Sequence, residues 1–185
     1  MAENLKLVLW VNAASQPSRS IIAFCRLNNI AHEVKMVDMG RGQHRKEPFT
    51  KINPAEQVPA MQEVDAKTGE TVFVLSESHT IMRYLHESRG CADHWYPKDL
   101  KKRALVDMYL DQHHTYLRAG VAGFVFKRLF SPGMTGRAFE DKELDFHRIM
   151  FKRSMRIVEE RLTKNTFLCG PEPTIADISA ACELD

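Results

Sequence analysis

The chain has 185 residues, 44% apolar and 27% charged, with a formal net charge of +2. That length admits one large domain or two small ones, and the composition is that of an ordinary globular protein. The balance of charge gives no pull toward nucleic acid or an anionic membrane, and no apolar run approaches the roughly 18 residues of a spanning helix. The amino terminus, MAENLKLVLW, carries an acid and lacks a long apolar core, so it does not read as a secretion signal. Cys25, Cys91, Cys169 and Cys182 are scattered without a CxxC spacing. They are expected to be buried free thiols in a reducing compartment, with the cytosol as the default location.

Residues 5–11, LKLVLWV, are short and rich in Leu and Val, the pattern of a buried strand. Pro17 then suits the first turn of a helix, where its missing N–H costs nothing. Ile21, Ile22 and Cys25 fall on one face of that helix, and Asn28-Asn29 marks its stop. AHEVKMV (31–37) alternates as a second strand, so the first three elements form a β-α-β unit with parallel strands and a right-handed crossover. The Gly- and Pro-punctuated segment 39–57 reads as loop with short helical turns. VPAMQEV (58–64) and TVFVL (71–75) flank the turn residues DAKTGE, which predicts a hairpin. A helix follows Ser76 and Ser78, with Ile81, Tyr84 and Leu85 on one face.

Composition then shifts. Residues 89–98 read as a linker, and beyond it the strand signals vanish. Two long helices are expected over 99–130 and 139–164, broken by SPGMTG (131–136). In the second, Leu144, Phe151, Met155, Val158 and Leu162 recur at helical spacing. A third helix starts at Thr174-x-x-Asp177, which has the form of a capping box. The domains are therefore set at 1–88 and 99–185.

Four stretches carry residues suited to chemistry. Ser15 stands where strand becomes helix, and two readings compete there: a helix cap, or a hydroxyl facing a ligand. A helix start favours an anion through its free N–H groups and the positive end of its dipole, and a serine there can donate one hydrogen bond to a thiolate or carboxylate. Val58-Pro59 puts an extended residue at a strand entrance, where an X–Pro bond can be cis and the Val58 backbone groups lie open to an extended ligand. Glu77 and Ser78 lie at another helix start, suited to an ammonium and a carboxylate respectively. Arg41, His44 and Arg45 crowd one loop, which suits a second carboxylate. Each has a plainer reading as a turn, a cap or a solvated loop. Trp10, Phe124 and Phe126 read as core, and the adjacent His113-His114 pair points two ways on a helix, against a metal site.

The runs SQPSR (15–19), GQH (42–44), NPAEQVPAM (53–61), ESHTIMRYL (77–85), residues 93–118 and FLCGPEPTIADI (167–178) together resemble the cytosolic glutathione transferases, the theta class above all. The resemblance implies a thioredoxin-like N-terminal domain followed by an all-helical one, an α/β plus all-α chain. It implies that Ser15 is catalytic, that Gln16, His44, Arg45, Gln57, Val58, Pro59, Glu77 and Ser78 bind glutathione, and that Arg118 lies near the second substrate. It further implies a pocket between the domains for a small electrophile, a homodimer, and no cofactor, glutathione being the co-substrate. Family members continue past the TIADI helix, so the helical domain is expected to be incomplete at Asp185. SQPS has the spacing of a thioredoxin-type CxPC with serine in both cysteine places, which favours holding a thiol over disulfide exchange. The same fold also serves as a docking domain in translation and stress factors, the rival reading.

Overall fold

The computed structural model describes residues 4–185. It divides into two compact units, the first ending at Trp95 and the second spanning Tyr96–Asp185. In the first, β1 (Leu5–Val11), β2 (Glu33–Met36), β3 (Ala60–Asp65) and β4 (Thr71–Ser76) form one sheet in the order β2-β1-β3-β4. β1 runs parallel to β2, and the helix α1 (Gln16–Leu27) connects them. β3 is antiparallel to both β1 and β4. The β-α-β unit and the hairpin therefore form as the alternation of residues predicts. β2 begins two residues later than expected and is exposed throughout, as befits an edge strand carrying Glu33 and Lys35.

Paired strand residues share a face, and this divides the core in two. Leu7, Leu9 and Val11 lie with Met61 and Glu63 on one side. Helix α3 (Ser78–Arg89) covers that side, with the Tyr84 hydroxyl donating to Glu63 at 2.8 Å and Arg89 paired to the same carboxylate. On the opposite side Trp10 and Ala60 pack with Val37, Val58, Ile52 and the ring of Phe49 from the short helix α2 (Phe49–Ile52). The buried face of α1 is Ser18, Ser20, Ile21, Phe24 and Cys25, while Ile22 is only half-buried. Asn28 closes α1, its side-chain amide donating to the Phe24 carbonyl at 2.9 Å.

The second unit departs from the sequence reading in its longest helix. α4 (Leu100–His113), capped by Asp99, widens into a π turn over His114–Arg118, returns to α5 (Ala119–Val125), widens again over Phe126–Phe130 and continues as α6 (Ser131–Thr135). SPGMTG does not break it at its first residue. The helix runs on through Pro132 in the first turn of α6, and Gly136 ends it in the left-handed conformation at φ 71°. α7 (Asp141–Leu162) and α8 (Ile175–Leu184) both start with capping boxes, Glu140 with Glu143 and Thr174 with Asp177. Asp177 also accepts from the Leu168 N–H at 2.8 Å, fixing the turn ahead of α8.

Three expectations about burial change. Of the cysteines, all free, only Cys25 is buried. Phe126 is 51% exposed and Phe124 half-buried, so neither belongs to a closed core. On α7, Leu144, Ser154 and Val158 are buried, while Phe151 and Leu162 are exposed. The reason is a close helix crossing: a Cβ on Gly120 of α5 would stand 2.5 Å from the Phe151 nitrogen, so α7 meets α5 with its backbone and the Phe151 ring turns away. His147 Nδ1 donates to the Ala119 carbonyl at 2.7 Å across the same contact. Gly120→Ala is therefore expected to lower unfolding free energy by about 1–3 kcal/mol through overpacking, measured by urea denaturation.

Candidate functional site

The register of the sheet decides what meets what. Trp10 pairs with Ala60 and Ala60 with Ser76, so the end of β1, the start of β3 and the end of β4 lie in one row. Val11 pairs with Met36, which puts the end of β2 at the same edge. The loop to Ser15, the loop carrying His44 and Arg45, the Gln57-Val58-Pro59 entry and the Glu77-Ser78 turn thus all emerge from one end of the sheet. The predicted residues of the first unit are brought to a single rim.

Ser15 is the N-cap of α1, with φ −87° and ψ 116°. Its Oγ accepts from the Ser18 N–H at 3.4 Å, and nothing among the described residues accepts its proton. Gln16, half-buried, opens the helix. At the entry to β3 the Val58-Pro59 bond is cis, and the Val58 N–H and C=O have no partner among the described residues. Asn53, itself buried, holds that entry: its side-chain amide donates to the Gln57 carbonyl at 2.7 Å and its Oδ1 accepts from Ala55 N–H. Gln57 is exposed and Pro59 buried. Glu77 caps α3 in an unusual conformation, φ 68° and ψ 111°, which leaves its side chain exposed and the buried Ser78 as first residue of the helix. Such a positive φ in a residue with a Cβ is strained, and strain of this kind gathers at ligand sites.

His44 lies in a single 3-10 turn, half-buried, with its Nδ1 shielded from solvent and lacking a partner among the described residues. Arg45 is well exposed and forms a 3.9 Å ion pair with Glu56. Arg118 belongs to the helical unit. It donates to Oε2 of the buried Glu183 at 3.1 Å, and the same oxygen lies 3.5 Å from His113 Nε2. His113 and His114 stand with rings at 89°, and among the described residues no three His, Cys, Asp or Glu side chains gather to hold a metal. Among those residues, too, no helix is long and apolar enough to cross a membrane. Three contributors escaped the sequence reading: Asn12, Asn53 and Glu183. Asn12 follows the end of β1 and Asn53 caps the end of α2, with a small residue or proline following each, a signal for side-chain-to-backbone turns. Glu183 gives no local signal.

A four-stranded mixed sheet in the order β2-β1-β3-β4, followed by a helical unit, is the thioredoxin-like plus all-helical architecture expected from the sequence. The glutathione S-transferase N-terminal domain matches residues 15–88 and the glutathione S-transferase C-terminal domain residues 124–185. Glutathione S-transferase T1 of Arabidopsis thaliana is 37% identical over 184 residues, covering 97% of this chain and 72% of the relative. Glutathione S-transferase T2 of the same plant is 35% identical, but the chain spans only 30% of its length. The solved structure of human glutathione transferase theta-2, in complex with glutathione and an unknown ligand, superposes with a TM-score of 0.87 at 30% identity, covering 96% of this chain and 70% of that one. The chain belongs to the glutathione S-transferase family.

The strain at residue 77 is open to measurement. Glu77→Gly is expected to be more stable than Glu77→Ala by about 1 kcal/mol in urea unfolding, since relief of about 1–2 kcal/mol at positive φ exceeds the extra chain entropy of glycine.

Proposed function

We propose that the chain works as a glutathione transferase in which Ser15 holds the sulfur of bound glutathione as the thiolate. The observation that carries this is the division of labour at the Ser15 hydroxyl. One lone pair caps α1 through the Ser18 N–H, and the proton is left for a ligand. A free thiol has a pKa near 8.5, so only a few per cent is ionised at neutral pH. A hydrogen bond to a charged group contributes about 1.5–3 kcal/mol, equal to roughly one to two pKa units. The start of α1 adds about 0.3–1 kcal/mol in the same direction. These effects suffice without a general base.

In this reading the tripeptide lies along the rim. The Val58 N–H and C=O pair with its extended backbone, Ser78 and the start of α3 take one carboxylate, and Glu77 meets the ammonium. His44 and Arg45 take the second carboxylate, with Gln16, Gln57 and Pro59 completing the wall. The thiolate attacks the electrophile. On an alkyl halide an S–C bond forms as the halide leaves with the bonding pair. On an epoxide an S–C bond forms as a ring C–O bond breaks and the freed oxygen takes a proton. On a hydroperoxide an S–O bond forms as the O–O bond breaks, the alkoxide leaving as alcohol and a second glutathione thiol then displacing water to give the disulfide. Arg118 is proposed as the contact of the helical unit with this second substrate, its guanidinium being one-third exposed while tied to Glu183. The proposal includes a cytosolic homodimer, as in the family it resembles. A docking domain has no need of an uncommitted Ser15 proton and an open Val58 backbone at one rim, which is why catalysis is preferred.

Ser15→Ala tests the reading. Thiolate stabilisation lowers the thiol pKa, so its loss raises it, and the deficit is largest at low pH and shrinks as pH rises. Turnover near pH 6.5 is expected to fall about tenfold or more, with the pH–rate profile moved up by about one to two units. Normal turnover on an unmoved profile, with or without retention on immobilised glutathione, would remove the serine from the chemistry.

A further inference from the structure

We infer that Asn12 and Ser18 are positioning residues that set the direction in which Ser15 gives its proton, an inference that rests on the serine reading above. Three hydrogen bonds close a ring around the β1–α1 turn. The Ser15 N–H donates to the Asn12 carbonyl at 3.0 Å, the Asn12 N–H to Ser18 Oγ at 3.3 Å, and the Ser18 N–H to Ser15 Oγ at 3.4 Å. Ser18 is fully buried, so its side chain faces inward to this ring and has no direct access to a ligand. The Asn12 side chain fixes the ring to the sheet: Nδ2 donates to the Val37 carbonyl at 2.9 Å and Oδ1 accepts from Ala14 N–H at 3.0 Å. Arg19 adds a donor to the Ala13 carbonyl at 3.2 Å.

The consequence is directional. Ser15 Oγ has two lone pairs and one hydrogen, and the helix side is taken by the Ser18 N–H. The hydrogen must occupy one of the remaining positions, turned from the helix toward the rim. Donation into Oγ also polarises the O–H and strengthens what it gives onward. The second serine of SQPS thus acts by holding Asn12, and Asn12 by holding the turn. Neither touches the sulfur.

The test uses the whole chain with glutathione, reading the bound thiol's pKa from the ultraviolet absorbance of the thiolate across pH. Ser18→Ala and Asn12→Ala are each expected to raise that pKa by about 0.5–1 unit, a roughly three- to tenfold loss of thiolate at low pH, with the dissociation constant of the protonated thiol, measured below both pKa values, held within about twofold. Ser18→Thr, which keeps the hydroxyl, restores the wild-type value. Asn12→Asp keeps the acceptor for Ala14 but loses the donor to Val37, and serves where Ser18→Ala fails to fold. A lower melting temperature with an unmoved thiol pKa in these variants overturns the inference while Ser15→Ala still shifts it. An unmoved pKa in Ser15→Ala overturns the serine reading and this inference together.

Discussion

A hydroxyl group has one proton and two lone pairs, and the β1–α1 turn fixes how Ser15 uses one of them, as the acceptor of the Ser18 N–H. Capping a helix uses a lone pair; activating a thiol uses the proton. The two readings of Ser15 that compete in the sequence are therefore compatible in the structure, where Oγ accepts from Ser18 and its proton stays uncommitted among the described residues. The arrangement depends on a short turn between a buried strand and a helix whose inner face is closed by Ile21, Phe24 and Cys25.

Convergence of the other residues follows from pairing alone. A single row, Trp10 to Ala60 to Ser76, aligns three chain segments that lie far apart in sequence. α3 is then held on the sheet by the Tyr84 and Arg89 contacts to Glu63, a buried carboxylate that would be costly to leave unpaired. Anchoring α3 so firmly explains how the strained backbone at Glu77 persists: the helix behind it and the strand before it are both fixed, and the turn must accommodate them.

The strands, their directions, the hairpin, Pro17 in the first turn of α1 and the capping box of α8 were all legible, because each is written in residues within one or two turns of each other. The path of the long helix was not. Its π turns flank α5, where α7 packs against it, Gly120 admitting the Phe151 backbone and His147 reaching the Ala119 carbonyl, contacts that no local pattern announces. Arg118 shows the same limit. Its partner Glu183 lies 65 residues further on, and no local spacing announces the pair. Within the rim, the residue types were readable as donors and acceptors, whereas the supports, Asn12 and Asn53, look like ordinary turn residues until their side-chain bonds are seen.

The cysteines bear on why a serine, and not a thiol of the chain, stands at the first helix. Burial pushes the Cys25 thiol up to about 12 and the Cys169 thiol to about 11, and it raises Cys91 as well. At neutral pH those three sulfurs are protonated and poor nucleophiles. A cysteine at position 15, next to a free helix start, would be the opposite: a low-pKa thiolate that attacks electrophiles itself and is consumed in doing so. Serine keeps the stabilising hydrogen bond and the dipole but supplies no nucleophile. On the proposed reading the reactive sulfur arrives with the ligand and leaves with the product, which is the condition for turnover.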